Sequence, residues 1–246
     1  MTQGSLFPVT LQGVGLRRGA TWVLRGLDLQ LERGGINALV GPNGAGKTSL
    51  LRLIHGLDAP SCGSLRFAGK TPPPDGMACA AQAMVFAHTP LLRGSVEDNL
   101  RLALAAVPAE ERRDWLDAAL ERAGLTKHAR QSAASLSSGQ RQRLALARAW
   151  MVQPQLLLLD EPCSHLDQQA CAAILHDVQR LAAQGITVLL STHRADEIAL
   201  ARRVLRLVDG QLQTGHQPYH PTPRHGGTAL QGDVPCSPAY TCASQA

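Results

Sequence analysis

The sequence predicts an α/β protein built round a parallel sheet with a phosphate-binding loop, and two stretches carry that prediction. In the first, the apolar run Ile36-Asn37-Ala38-Leu39-Val40 meets Gly41-Pro42-Asn43-Gly44-Ala45-Gly46-Lys47-Thr48, which opens into Ser49-Leu50-Leu51-Arg52-Leu53-Ile54. Strand, glycine-rich turn and helix start come in the order a phosphate cradle needs. Glycines let the backbone curl until several N–H groups point inward, and the helix dipole adds positive potential there. In the second, Leu156-Leu157-Leu158-Leu159 ends in Asp160-Glu161. A continuous apolar run of that length is a strand buried on both faces, and it delivers two carboxylates at its C-terminal end, where ligands of open α/β sheets sit.

The remaining elements follow in order. Residues 9–35 read as short strands with turns at Arg18-Gly19 and Arg33-Gly34-Gly35. Clean apolar alternation in Leu27-Asp28-Leu29-Gln30-Leu31-Glu32 predicts a half-exposed antiparallel strand. A strand is expected over Ala83-Met84-Val85-Phe86. From about Leu91 to Val152 the pattern is helical, with Ser95 as N-cap and Asp98 completing a weak capping box. Glu110 to Ala123 predicts an amphipathic helix with Trp115, Leu116 and Leu120 on its apolar side. Another helix runs from Arg141 to Met151, where Ser137 or Ser138 suits the cap. Beyond Pro154 strand and helix alternate, with a strand over Ile186–Leu190 leading into Ser191-Thr192-His193.

These stretches, with Leu136-Ser137-Ser138-Gly139-Gln140 and Ser164-His165-Leu166-Asp167, resemble the ATP-binding cassette (ABC) ATPases, the motor subunits of ABC transporters. Walker A at 41–48, signature at 136–140, Walker B at 156–161, D-loop at 164–167 and switch histidine at His193 come in family order. The resemblance covers roughly residues 9–212. It implies a P-loop NTPase of the ABC type, with a core α/β sheet, a flanking antiparallel β subdomain and a helical subdomain at about 88–152. The ATPase domain is expected over 1–213. Residues 214–246, rich in Pro, Gly, Ser, Thr and His, are expected to form a disordered tail.

The chemistry divides among named residues. Gly41 to Ser49 are expected to wrap the phosphates of ATP, with Lys47 reaching the β- and γ-phosphates. Thr48 and Asp160 are the expected Mg²⁺ ligands, and Glu161 suits a base for the attacking water. The resemblance implies that His193 contacts the γ-phosphate. It implies too that Ser137, Ser138, Gly139 and Gln140 act in trans on nucleotide held by a second cassette, with Ser164 and Asp167 in the D-loop. Ser138 stands where the family usually has glycine.

Two positions depart from the pattern. After the strand ending at Phe86 the family carries a Q-loop glutamine, whereas this chain has Ala87-His88. His88 either stands in for the glutamine, making turnover pH-sensitive, or is a solvated loop histidine. Gln82 lies at the other end of that strand. The adenine-stacking aromatic expected near position 18 is replaced by Arg18. Trp22 or Arg18 is the candidate adenine contact, the former also being suited to packing between sheets.

With 246 residues the chain can bury a full core, and with 3% aromatics that core must be aliphatic. Net charge is +5, but the arginines are scattered without a stripe or aromatic interleaving, so no nucleic-acid partner is expected. No secretory signal and no run of about 20 apolar residues is present, so a peripheral site on the cytoplasmic face of a bacterial inner membrane is expected. Six cysteines without a CxxC pair read as reduced thiols rather than structural zinc. His216, His220, His225, Cys236 and Cys242 are too irregularly spaced for a metal motif.

The function implied by the resemblance is ATP hydrolysis driving substrate translocation, most readily import, through separate transmembrane permease subunits. A cassette dimer and a solute-binding protein are the further partners. Segments around Val85-Phe86, Leu91–Ser95 and Leu146–Trp150 resemble tungstate- and phosphate-type oxyanion importers. The rival readings are a soluble ABC ATPase acting on ribosomes or DNA, and a degenerate cassette binding ATP as a regulatory partner.

Overall fold

The computed structural model describes residues 5–72, 81–88 and 90–213. The 214–246 tail, with its histidines and cysteines, lies outside the described residues.

Two sheets enclose one helix. Strands β1 (Val9–Arg18), β2 (Thr21–Leu31) and β4 (Cys62–Phe67) form an antiparallel sheet in the order β2-β1-β4. Leu27, Leu29 and Leu31 face inward while Asp28 and Gln30 face water, as their alternation predicts. Where several short strands were expected over 9–35, β1 and β2 form one long hairpin turning at Gly19-Ala20, its register shifted by irregularities between Leu11 and Arg17.

Six strands make the second sheet: β3 (Ile36–Val40), β5 (Gln82–Val85), β6 (Leu156–Asp160), β7 (Thr187–Ser191), β8 (Arg203–Val208) and β9 (Gln211–Gln213). Their order is β5-β6-β7-β3-β8-β9, parallel except for the closing β8–β9 hairpin. β5 starts and ends one residue earlier than the sequence suggests, whereas β7 starts and ends one residue later, so Ser191 rather than Leu190 closes the strand.

The leucine run of β6 is explained by its two covered faces. Leu156 and Leu158 pack toward α1 (Lys47–His55), whose Leu50, Leu51, Leu53 and Ile54 also meet the antiparallel sheet. Leu157 and Leu159 turn the other way, toward α4 (Ser138–Met151) and α5 (Gln168–Ala183), which contribute Leu146, Ile174 and Val178. Burying one such leucine is worth about 1.5–3 kcal/mol, so the strand bearing Asp160 is fixed from both sides.

The helical group holds α2 (Val96–Arg101), a 3₁₀ turn over Leu102–Ala106, α3 (Arg112–Arg122) and α4. Val96, Leu100, Leu116, Leu120, Leu144 and Met151 form its core. The Ser95–Asp98 capping box is complete, and α4 starts three residues earlier than expected because Ser137 and Gln140 form a second one. Trp115 is only partly buried, its ring 5.4 Å from that of Trp150.

Candidate active site

The phosphate loop leaves β3 and enters α1 beneath the antiparallel sheet. At Gly46 the backbone takes φ +101°, and a Cβ there would come within 3.0 Å of the Val23 carbonyl. A Cβ on Gly41 would lie 2.0 Å from the Leu207 carbonyl oxygen, so a larger residue cannot start the loop without moving β8. Lys47, the first residue of α1, is only 6% exposed. Its Nζ donates to the carbonyl oxygens of Gly41 (2.9 Å) and Pro42 (3.1 Å) and lies 4.0 Å from Glu161 Oε1. The ammonium is thus held inside its own loop, facing a carboxylate.

The next residue begins a chain of hydrogen bonds across a helix start and two strand ends. Thr48 Oγ1 donates to Asp160 Oδ2 at 2.8 Å, and Ser191 Oγ donates to Asp160 Oδ1 at 2.6 Å. Asp160 and Ser191 are register partners on adjacent parallel strands, which puts the hydroxyl beside the carboxylate. Glu161 follows with φ +47°, a strained conformation for a residue with a side chain. Its N–H is held by both the carbonyl and the hydroxyl oxygen of Ser191, each at 3.1 Å. The turn swings the Glu161 carboxylate out of the sheet to within 3.8 Å of His193 Nδ1. His193 is 63% exposed, in the loop after β7.

Asn43, Gly44, Gly46, Lys47, Thr48, Ser49, Asp160 and Glu161 line one cleft of about 460 Å³, with Val23 and Ala87 completing its wall. One end offers backbone N–H groups and an ammonium; the other offers a hydroxyl and a carboxylate in contact. The first suits a phosphate chain. The second is a set of hard oxygen donors, and it fits Mg²⁺, which takes one or two protein oxygens and completes its shell with phosphate and water.

The remaining candidates fall elsewhere. Ala87, not His88, faces the cleft; the His88 ring stacks on His165 of the D-loop, with centroids 5.5 Å apart and planes at 15°. In the bend that follows β5 the Ala87 methyl takes the cleft-facing place and the imidazole turns to the D-loop, so His88 does not stand where the glutamine would have been. Gln82, expected just before the strand, is instead the first residue of β5 and is buried at the end remote from the cleft. No residue of 137–140 or 164–167 lines the cleft. Ser137 caps α4, accepting from Gln140 N at 3.2 Å, while Gln140 Oε1 accepts from Ser137 N at 2.9 Å. Gly139 is pressed against α5, where an added Cβ would meet Ala170 at 2.9 Å. Asp167 caps α5, and Ser164 Oγ is buried without a hydrogen-bond partner.

Neither adenine candidate reaches the cleft wall. Arg18 is bound to Asp58 at 2.8 Å, and that carboxylate is also held by Arg52, whose hydrogen bond keeps the Asp58 carboxyl below its ordinary range. Trp22 is half-buried with the Arg17 guanidinium 5.8 Å from its ring centre. The neighbouring Val23 is the residue that lines the site.

Fold and cleft together define an ATP-binding cassette. A family model described as "ABC transporter" matches residues 24–164, and the chain belongs to that family as an ABC transporter ATPase. It is 40% identical over 211 residues to the aliphatic sulfonates import ATP-binding protein SsuB of Pseudomonas putida, covering 83% of this chain and 74% of that one. The protein of that name from Yersinia pestis is 40% identical over 233 residues, covering 90% and 80%. Among solved structures, CbiO1 of Clostridium perfringens, part of the ABC transporter complex CbiONQ, matches with TM-score 0.75 at 26% identity, covering 84% and 86%. A dimeric ATP-binding cassette in a post-hydrolysis state with ADP and Pi matches with TM-score 0.75 at 27% identity, covering 84% and 97%. No helix among the described residues is long and apolar enough to cross a membrane.

Ser191 is the site residue that the sequence reading passed over, because its role arises only from strand register. A hydrogen bond to a charged group is worth about 1.5–3 kcal/mol. Ser191→Ala is expected to lower kcat roughly 10- to 150-fold and raise the Mg²⁺ concentration for half-maximal ATPase, both read by steady-state phosphate release with Mg²⁺ as the variable. Unchanged Mg²⁺ dependence contradicts this role for the hydroxyl.

Proposed function

We propose that this chain is the ATP-hydrolysing subunit of a bacterial importer for organosulfonates. It works as a pair of cassettes on the cytoplasmic face of the inner membrane, beside separate permease subunits and a solute-binding protein. The single observation carrying the transport reading is the cleft that joins Lys47, Thr48, Asp160 and Glu161 in a chain of this family. For the substrate, the support is the 40% identity to sulfonate-import cassettes over most of both chains. That likeness redirects the expectation of a tungstate- or phosphate-type substrate: a sulfonate is still an oxyanion, but one carrying an organic group.

Loop N–H groups from Gly41 to Ser49 wrap the phosphate chain, and Lys47 exchanges its two carbonyl partners for phosphate oxygens. Thr48 and Asp160 would hold Mg²⁺, which would supply charge stabilisation for the phosphate oxygens. Glu161, aimed by its Ser191 contacts, accepts a proton from the attacking water, and His193 steadies that carboxylate and the γ-phosphate. The cleft has no lining from the residue 137–140 signature, so the reaction centre needs Ser137 and Gly139 of a second cassette to close it. ATP-dependent closure of the pair then moves the permease.

Ala87 sets the speed. With no side-chain amide at that wall, one water-positioning hydrogen bond worth about 1.5–3 kcal/mol is missing. Hydrolysis is correspondingly slower by roughly 10–150-fold than with glutamine there. Ala87 also favours the regulatory-cassette reading, and stimulation of ATPase by the permease separates the two.

Glu161→Gln is expected to lower hydrolysis by about 10²–10⁴-fold while ATP still binds, leaving a nucleotide-trapped dimer on size-exclusion chromatography. Normal turnover in that variant removes Glu161 from its role. The substrate assignment is tested by deleting the gene and supplying single sulfur sources. Growth on an alkanesulfonate should fail while growth on sulfate persists, and tungstate accumulation should be normal. A tungstate or phosphate defect with intact sulfonate growth overturns the assignment.

A further inference from the structure

Behind the reaction centre lies a buried cluster that the ATPase reading does not use. Cys163 follows Glu161 by two residues, Cys171 sits in the first turns of α5, and Glu197 lies on α6 (Ala195–Ile198), four residues past His193. Each is 1% exposed, and one Sγ or carboxylate oxygen from each comes within 4.8 Å of the others. The thiols make long contacts, Cys163 to the Cys171 carbonyl at 3.8 Å and Cys171 to Asp196 Oδ2 at 3.9 Å, and the Cys163 thiol also neighbours Cys171 Sγ and the Glu197 carboxylate. The Glu197 carboxylate is buried with no well-formed hydrogen bond; its neighbours are the Thr192 hydroxyl, the Cys163 thiol and, at 3.8 Å, Arg194 Nε.

We propose that Cys163, Cys171 and Glu197 form a binding site for a thiophilic divalent cation of the zinc class, with the half-exposed Asp196 carboxylate at its mouth. Two sulfurs and one oxygen are a donor set that soft thiolate chemistry directs to zinc rather than magnesium or calcium. Bond lengths of about 2.3 Å to sulfur and 2.0–2.2 Å to oxygen place tetrahedral ligands roughly 3.3–3.8 Å apart, so closures of at most about 1.5 Å assemble the shell. Asp196 or a water supplies the fourth position.

The alternative, two buried thiols acting as small apolar groups beside a protonated carboxyl, leaves Glu197 with only the Thr192 hydroxyl and the Cys163 thiol beside it and no well-formed hydrogen bond, a desolvation cost that a cation removes. Burial pushes Glu197 and both cysteines above their ordinary values, which favours their protonated forms, so a bound cation displaces protons from its ligands. Binding therefore weakens as pH falls. With two thiolates and a carboxylate around a divalent ion the site carries one net negative charge, which Arg194 offsets, although Arg194 is also paired with Asp196 at 2.7 Å. The bound ion would tie the segment carrying Glu161 to α5 and to the segment carrying His193. Spacings of eight and 26 residues show why the sequence, searched for CxxC pairs, offered no zinc motif.

The test uses the full chain with Cys62, Cys79, Cys236 and Cys242 changed to serine, which leaves the buried cluster intact, and Co²⁺ as the spectroscopic probe. One Co²⁺ per chain should bind with thiolate-to-metal charge-transfer absorption in the near ultraviolet and tetrahedral bands in the visible. Equimolar Zn²⁺ should abolish both and raise the unfolding temperature. Adding Cys163→Ser or Cys171→Ser should remove the charge-transfer band or reduce it by about half, and Glu197→Gln should weaken affinity at least tenfold. Absence of the thiolate band in the four-serine protein overturns the proposal. So does a band unchanged by both Cys163→Ser and Cys171→Ser.

Discussion

The carboxylate of Asp160 is the point on which the site depends. One oxygen takes a hydrogen bond from Thr48 at the start of α1 and the other from Ser191 at the end of β7, while Asp160 itself ends β6. Three elements remote in sequence are thereby locked at one place. The carboxylate is 6% exposed, so each hydroxyl offsets part of its desolvation. Everything downstream inherits that registration: Glu161 leaves the sheet from a backbone pinned by the same serine, and His193 sits two residues past it.

Buried leucines make this arrangement affordable. β6 is covered by α1 on one face and by α4 and α5 on the other, so its end cannot drift as charges are brought together. The strain at Glu161, of order 1–3 kcal/mol, is tolerable only on such a support. Lys47 likewise is held in place under the antiparallel sheet by the two carbonyls and the carboxylate around its Nζ.

What the sequence made legible was local. The glycine loop, the leucine strand ending in two acids, the alternation in β2 and the serine caps each rest on neighbours within a few residues, and each lies where its pattern implies. Contacts across the sheet had no such trace. Ser191 gains its partner only from β6–β7 register, and Arg18 is drawn from the adenine side to Asp58, forty residues on. The Ala87-His88 pair could be spotted as a departure, but not that the imidazole would turn to His165. Cys163, Cys171 and Glu197 meet because a strand end, a helix and a switch segment converge.

The central claim is that a charged lysine, caged by its own loop, exchanges carbonyl oxygens for the phosphates of ATP. Equilibrium binding of a fluorescent ATP analogue to Lys47→Ala, whose fold is checked by circular dichroism, tests it most directly. Loss of one buried charge-assisted contact of about 1.5–3 kcal/mol predicts affinity lower by roughly 10- to 150-fold in a normally folded protein. A folded variant that binds the analogue as tightly as the unaltered chain contradicts the account.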